Sequence, residues 1–155
     1  MNRLVITMGD PCGVGPEIIV KFFDGIYKVE DKRLFLVVVG SKSVLEYYKK
    51  KLKIDLEIVE ITKAHIVDGK LENGKLHLIN IDTDIDKLEF GKHTELGGAL
   101  SIKYLDKAIE LCHGKYVDGI VTCPISKDSI NMAGFKYSGH TEYLAEKSKT
   151  EDFAM

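Results

Sequence analysis

Val117 to Glu146 reads VDGIVTCPISKDSINMAGFKYSGHTEYLAE, and this stretch decides the fold. Val117, Ile120 and Val121 form an apolar run closed by Thr122, which predicts a buried strand. Pro124 has no N–H and fixes φ, so regular pairing ends at Cys123-Pro124. A short helix follows, with Ser126 as N-cap, Ile130 and Met132 turned inward, and Gly134 at its end. Ser138-Gly139-His140-Thr141-Glu142 is a polar knot in which glycine lets backbone approach a ligand. Thr141 is read as the cap of the next helix, with Glu142 in its first turn. The N–H groups of that helix start, the Thr141 hydroxyl and the His140 ring can then converge on one anion.

Working outward, Leu4-Val5-Ile6 is a short apolar run of the kind buried on both faces of a parallel sheet. It leads into Met8-Gly9-Asp10-Pro11-Cys12-Gly13-Val14-Gly15-Pro16-Glu17, with Pro16 placed for the first turn of a helix faced by Ile18, Ile19, Phe22 and Phe23. The glycine spacing is neither GxGxxG nor GxxxxGK[ST], so this loop is not a dinucleotide fingerprint or a P-loop. It is either a tight βα turn or a ligand loop. Leu34 to Val39 is a second interior strand, followed by a helix capped at Ser41 or Ser43. Lys49, Lys50, Lys51 and Lys53 suit a solvated last helical turn.

Leu56 to Ile61 alternates and predicts a strand nearer an edge. Asp68-Gly69-Lys70 and Glu72-Asn73-Gly74-Lys75 are turn chemistry, consistent with a hairpin returning through Leu76, Leu78, Asn80 and Ile81. His65 and His77 read as surface residues, and His93 and His113 as surface or helix-end residues. Asp82, Asp84 and Asp86 mimic the start of a calcium loop, but the required glycine and terminal carboxylate are missing. Thr94 to His113 is the clearest helix, and Gly97-Gly98 within it predicts close packing or ligand approach. Phe153-Ala154-Met155 resembles the start of a further strand.

The 155 residues are 45% hydrophobic and 30% charged, enough for one compact core. A net charge of −2 argues against a general nucleic-acid or anionic-membrane binder. No apolar run reaches bilayer length, and MNRLVITMGD lacks a signal-peptide h-region. Cys12, Cys112 and Cys123 form no CxxC and have no ligand-spaced histidine, which predicts a reduced, cytoplasmic setting and gives a zinc site built on them only weak support. Strands alternating with helices define an α/β class with a mostly parallel sheet and flanking helices. Ligands gather at the carboxyl ends of such strands, which places the Gly9–Glu17 and Cys123–Glu142 corners in one cleft.

Two stretches together resemble a known family. Ile6-Thr7-Met8-Gly9-Asp10-Pro11-Cys12-Gly13-Val14-Gly15-Pro16-Glu17 is similar to the first signature of the 4-hydroxythreonine-4-phosphate dehydrogenases, the PdxA family of vitamin B6 synthesis. Val121 to Lys127, Ala133-Gly134 and Gly139-His140-Thr141-Glu142 resemble its second signature, in the right order and spacing. Cys12 stands where the family usually has alanine.

The resemblance implies a fold like isocitrate and isopropylmalate dehydrogenases, of which this chain is an incomplete, N-terminal half. About 1–122 would be a first α/β domain and 123–155 the start of a second, substrate-binding part. It implies NAD-dependent oxidation and decarboxylation of 4-phosphohydroxy-L-threonine by a homodimer. A divalent metal (zinc, magnesium or cobalt) would be held by histidines beyond a position matching Met155. His140 and Thr141 match the substrate-binding pair. Asp10 and Lys127 are possible ligand-loop residues; an Asp-Pro turn and a solvated helix lysine explain them equally well. No residue is assigned as catalytic base. Alternatives are a related dehydrogenase of another hydroxy acid, and a non-catalytic ligand-binding fragment. The chain alone is expected to be inactive, with exposed apolar surface where another half would pack.

Overall fold

The computed structural model describes residues 2–25, 34–69, 71–72 and 74–150. Strands and helices alternate: β1 (Asn2–Thr7), α1 (Gly15–Gly25), β2 (Leu34–Gly40), α2 (Lys42–Leu52), β3 (Ile58–Glu60), α3 (Lys63–Asp68) and β4 (Leu76–Asn80). A single 3-10 turn (Ile85–Lys87), α4 (Glu95–His113), β5 (Gly119–Thr122), α5 (Lys127–Met132) and α6 (His140–Ser148) follow. The five strands run in the order β3-β4-β2-β1-β5, and each pairing is parallel. The α/β class with a parallel sheet and flanking helices is therefore as the alternation implied.

β2 shows why a continuous apolar run was needed. Val37, Val38 and Val39 are all fully buried, because an interior parallel strand is covered on both faces. Right-handed crossovers in this strand order put α1 and α2 on one face and α3 and α4 on the other. α1 packs on α2, while α4 lies across β1, β2 and β5 and carries α5. A smaller cluster of Ile102, Leu105, Ile130 and Tyr143 joins α4, α5 and α6. Among the described residues, no helix is long and apolar enough to cross a membrane.

Several local expectations give way to tertiary context. The hairpin before Leu76 does not form. β3 and β4 pair in parallel, Ile58 with Leu76 and Glu60 with Leu78, and α3 makes the crossover. Gly69, at φ 64, is the left-handed cap of α3 rather than part of a hairpin turn. His77 is 4% exposed inside β4, not on the surface. Its Nε2 accepts the Glu72 N–H at 3.1 Å, and burial pushes its pKa down. His65 is exposed as expected, and its Nδ1 accepts the Thr62 N–H at 3.1 Å to close the start of α3.

β5 is an edge strand, so Val121 is 45% exposed instead of buried. Met132 points outward at 57% exposure while Ile130 is fully buried. Val20 replaces Ile18 on the buried face of α1. Thr141 does not cap α6. Gly139 is the N-cap, and Glu142 accepts the Ser138 N–H at 2.9 Å. The strand expected at Phe153–Met155, and the turn residues Lys70 and Asn73, lie outside the described residues.

Candidate functional site

Two loops leave the carboxyl edge of the sheet, one after β1 and one after β5. They are tied by backbone: the Asp10 N–H donates to the Pro124 carbonyl at 3.0 Å, and the Cys123 N–H to the Thr7 carbonyl at 3.1 Å. Gly9 makes this approach possible. Its φ is +72, and a Cβ there would sit 2.2 Å from the Pro124 oxygen.

The Asp10 side chain completes the tie from inside, 4% exposed. Its Oδ1 accepts the Cys12 N–H at 2.9 Å and its Oδ2 accepts the Ser129 hydroxyl at 3.0 Å. Ser129 belongs to α5, whose N-cap Ser126 accepts the Ser129 N–H at 3.1 Å. One carboxylate thus joins the early loop to the helix of the late one. Gly97 and Gly98 bring α4 against the same point. A Cβ on Gly98 would lie 1.9 Å from the Ser129 carbonyl oxygen, and one on Gly97 would lie 2.7 Å from Asp10 Oδ1. Close packing between protein segments is what the glycine pair serves.

Above this staple is a cavity of about 220 Å³ lined by Asp10, Cys12, Gly13, Val14, the 91–93 segment and 124–126. The Gly91 N–H donates to the Cys12 carbonyl at 2.8 Å across it, and Phe90, next in the chain, stacks on Tyr47 with centroids 4.5 Å apart. His93 stands at the mouth, its Nδ1 2.8 Å from Ser126 Oγ and its Nε2 3.9 Å from Asp128 Oδ2. Read from sequence, His93 was only a surface or helix-end residue. The usable signal was position: it follows the 3-10 turn after β4 and directly precedes the Thr94 cap of α4, on the sheet edge where ligand loops gather.

Asp10 reaches this cavity, but its oxygens are engaged in holding the loops. His140 lies beside Cys123. Burial lowers its pKa, and a backbone hydrogen bond to Cys123 partly opposes that. Its Nε2 is buried and has no hydrogen-bond partner among the described residues. Thr141 is half-buried at the second position of α6. Lys127 is exposed at the start of α5, close enough to Glu142 to help hold that carboxylate low, after the Ser138 hydrogen bonds. So His140, Thr141, Glu142 and Lys127 gather around the start of α6. None of them lines the 220 Å³ cavity. Burial pushes the Cys123 thiol between the two clusters up to about 11. Among the described residues, no three His, Cys, Asp or Glu side chains converge to hold a metal ion.

The fold and its corner define a parallel α/β unit whose loops collect at the carboxyl edge of the sheet, the arrangement that small-molecule enzymes use. Residues 32–155 match the family described as pyridoxal phosphate biosynthetic protein PdxA. The chain belongs to that family. It is 39% identical over 155 residues to the 4-hydroxythreonine-4-phosphate dehydrogenase of Sulfurihydrogenibium sp., covering 100% of this chain and 45% of that one. It is also 39% identical over 152 residues to a Fusobacterium nucleatum protein provisionally named D-threonate 4-phosphate dehydrogenase, covering 97% and 45% of the two chains. The crystal structure of a 4-hydroxythreonine-4-phosphate dehydrogenase from Burkholderia phymatum superposes with a TM-score of 0.86 at 29% identity, over 98% of this chain and 45% of that one. This chain therefore spans about 45% of the length of these relatives.

Proposed function

We propose that these residues form the substrate-holding N-terminal portion of a dehydrogenase acting on a phosphorylated hydroxy acid, 4-phosphohydroxy-L-threonine in the first instance. The observation that carries this reading is His140. A buried ring nitrogen with no hydrogen-bond partner among the described residues keeps its full hydrogen-bonding capacity for a ligand. A backbone hydrogen bond at Cys123 favours the charged ring, against its burial. Nε2 donates to or accepts from a substrate hydroxyl according to the tautomer that the ligand selects. Thr141 and the first N–H groups of α6 suit the anionic end of the same molecule. Lys127 adds positive charge beside that helix start. Asp10 positions the early loop and does not touch substrate.

NAD, when bound, takes up the hydride from the secondary alcohol. The described residues supply no evident cradle for it, since Gly9 and Gly15 are packed against backbone oxygens of Pro124 and Met8. They supply no metal cluster either. In this reading the cofactor, the divalent metal and the partner of a homodimer are met by segments beyond those described. The division near residue 122 is part of the same reading.

A second reading has its own support: the D-threonate 4-phosphate relative is as similar, at 39% identity, as the 4-hydroxythreonine-4-phosphate one. Both substrates carry a phosphate next to a secondary hydroxyl, and they differ in an amino or a hydroxyl group on the following carbon, so His140 would serve either. Calorimetry of the 155-residue chain with both compounds tests the site. Binding lost in His140→Ala is expected. Equal heats for wild type and variant would remove His140 from it. The same chain with NAD and either substrate is expected to form no NADH. Fusion to the remaining portion of the Sulfurihydrogenibium relative is expected to restore turnover, and the preferred substrate decides between the readings.

A further inference from the structure

The direction of the His140 ring follows the roll of α6, on which it is the first residue. Gly139, the N-cap before it, makes no side-chain cap hydrogen bond. The buried residues of α6 are Tyr143 and Ala145. Tyr143 is the large one, 2% exposed, and it packs in one cluster with Ile102 and Leu105 of α4 and Ile130 of α5. Apolar packing is non-directional, so by itself it leaves a helix free to roll. A hydrogen bond fixes an angle. The Tyr143 hydroxyl donates to Oδ1 of Asp106 on α4, the helix that lies across β1, β2 and β5. Tyr137, in the loop entering α6, meets the Tyr143 ring edge to face, with centroids 4.8 Å apart at 86°. The Ser138 N–H on Glu142 Oε2, at 2.9 Å, ties the same loop to the first turn. His140 stands between the two tyrosines in the chain, with Tyr143 one turn further along the same side of the helix.

From this we infer that Tyr143 is a positioning residue for His140. Its hydroxyl on Asp106 fixes the roll of α6, its ring against Tyr137 fixes the entry into the helix, and together they aim the imidazole. The lever is steep. Side chains reach about 5–6 Å from a helix axis, so a roll of ~20° carries the ring about 2 Å. A hydrogen bond to a ligand does not survive that displacement, and a misplacement of about 1 Å can cost on the order of a hundredfold in rate. The consequence for binding rests on the reading of His140 as the substrate-holding group; the positioning itself does not.

The test reads the ring directly, by NMR of the 155-residue chain labelled in histidine and without ligand, with His140→Ala to assign the signals. Tyr143→Phe removes the hydroxyl and keeps the ring; Asp106→Ala removes the acceptor. Both variants are expected to stay folded by circular dichroism and to displace the His140 ring signals. Both are also expected to weaken calorimetric binding of 4-phosphohydroxy-L-threonine about tenfold. Asp106→Asn keeps a carbonyl oxygen for the tyrosine and is expected to match wild type on both readouts. Leu78 is fully buried in β4, with β2 and β1 between it and β5. Leu78→Ala therefore loses more stability and is expected to leave the ring signals in place. Ring signals unmoved in folded Tyr143→Phe and Asp106→Ala, or moved as far in Leu78→Ala, overturn the inference. A wild-type chain that fails to bind the compound while the ring signals move as expected sinks the substrate reading and leaves the positioning standing.

Discussion

Asp10→Ala is expected to loosen the whole carboxyl edge of the sheet. The carboxylate is 4% exposed and accepts two hydrogen bonds, from the Cys12 N–H at 2.9 Å and the Ser129 hydroxyl at 3.0 Å. A hydrogen bond to a charged group contributes about 1.5–3 kcal/mol. The two share one acceptor group, so they do not add fully. Removing both also strands two buried donors, since Ser129 is fully buried and Cys12 is 2% exposed. The expected loss is about 3–4 kcal/mol, which lowers a urea midpoint by about 2 M if the slope is ~1.5–2 kcal/mol per M. Asp10→Asn keeps one carbonyl oxygen for the Cys12 N–H and turns its amide toward Ser129 Oγ, so a smaller loss of about 1–1.5 kcal/mol is expected. Urea unfolding of the three proteins, followed by circular dichroism, measures this. An alanine variant within about 0.5 kcal/mol of wild type, or an asparagine variant as damaged as alanine, would refute the staple.

Other expectations concern packing, protonation and thiol access. Gly98→Ala sets a methyl group 1.9 Å from the Ser129 carbonyl oxygen and forces α4 and α5 apart, so a loss of about 2–3 kcal/mol is expected in the same unfolding assay. His77 and His140 both have pKa values lowered by burial. Above the ordinary histidine range both folded and unfolded chains are neutral there. As pH falls through about 6.5 the unfolded chain takes up protons first, so stability should drop and then level once the folded pKa values are passed. His77→Gln, which can still accept the Glu72 N–H, should flatten that drop; an unchanged pH profile would refute the assignment. Burial raises all three thiols, with Cys123 at about 11, so a disulfide reagent at neutral pH should reach half-buried Cys112 first and Cys12 and Cys123 only on unfolding. Fast labelling of Cys123 in the folded chain would count against the tie between the two loops.

The sequence by itself determined the layered plan. Continuous valine and leucine runs suit interior parallel strands, and Thr94 with the apolar period behind it suits the start of a helix. The family signatures also located the two loops that the sheet brings together. What it left open needed the third dimension. Asp10 reads in the sequence as turn or ligand residue alike; only the fold brings Ser129, 119 residues away, onto its second oxygen. The turn residues before Leu76 suit a hairpin and a crossover alike; only the parallel sense of the β3–β4 pairing separates them. His77 and His93 look equivalent in the chain. One is buried because β4 is an inner strand, and the other stands at a cavity because α4 begins on the carboxyl edge. Exposure of Val121 and Ile18 was beyond reach for the same reason: burial belongs to what lies across from a side chain, and local periodicity names only the face it points to.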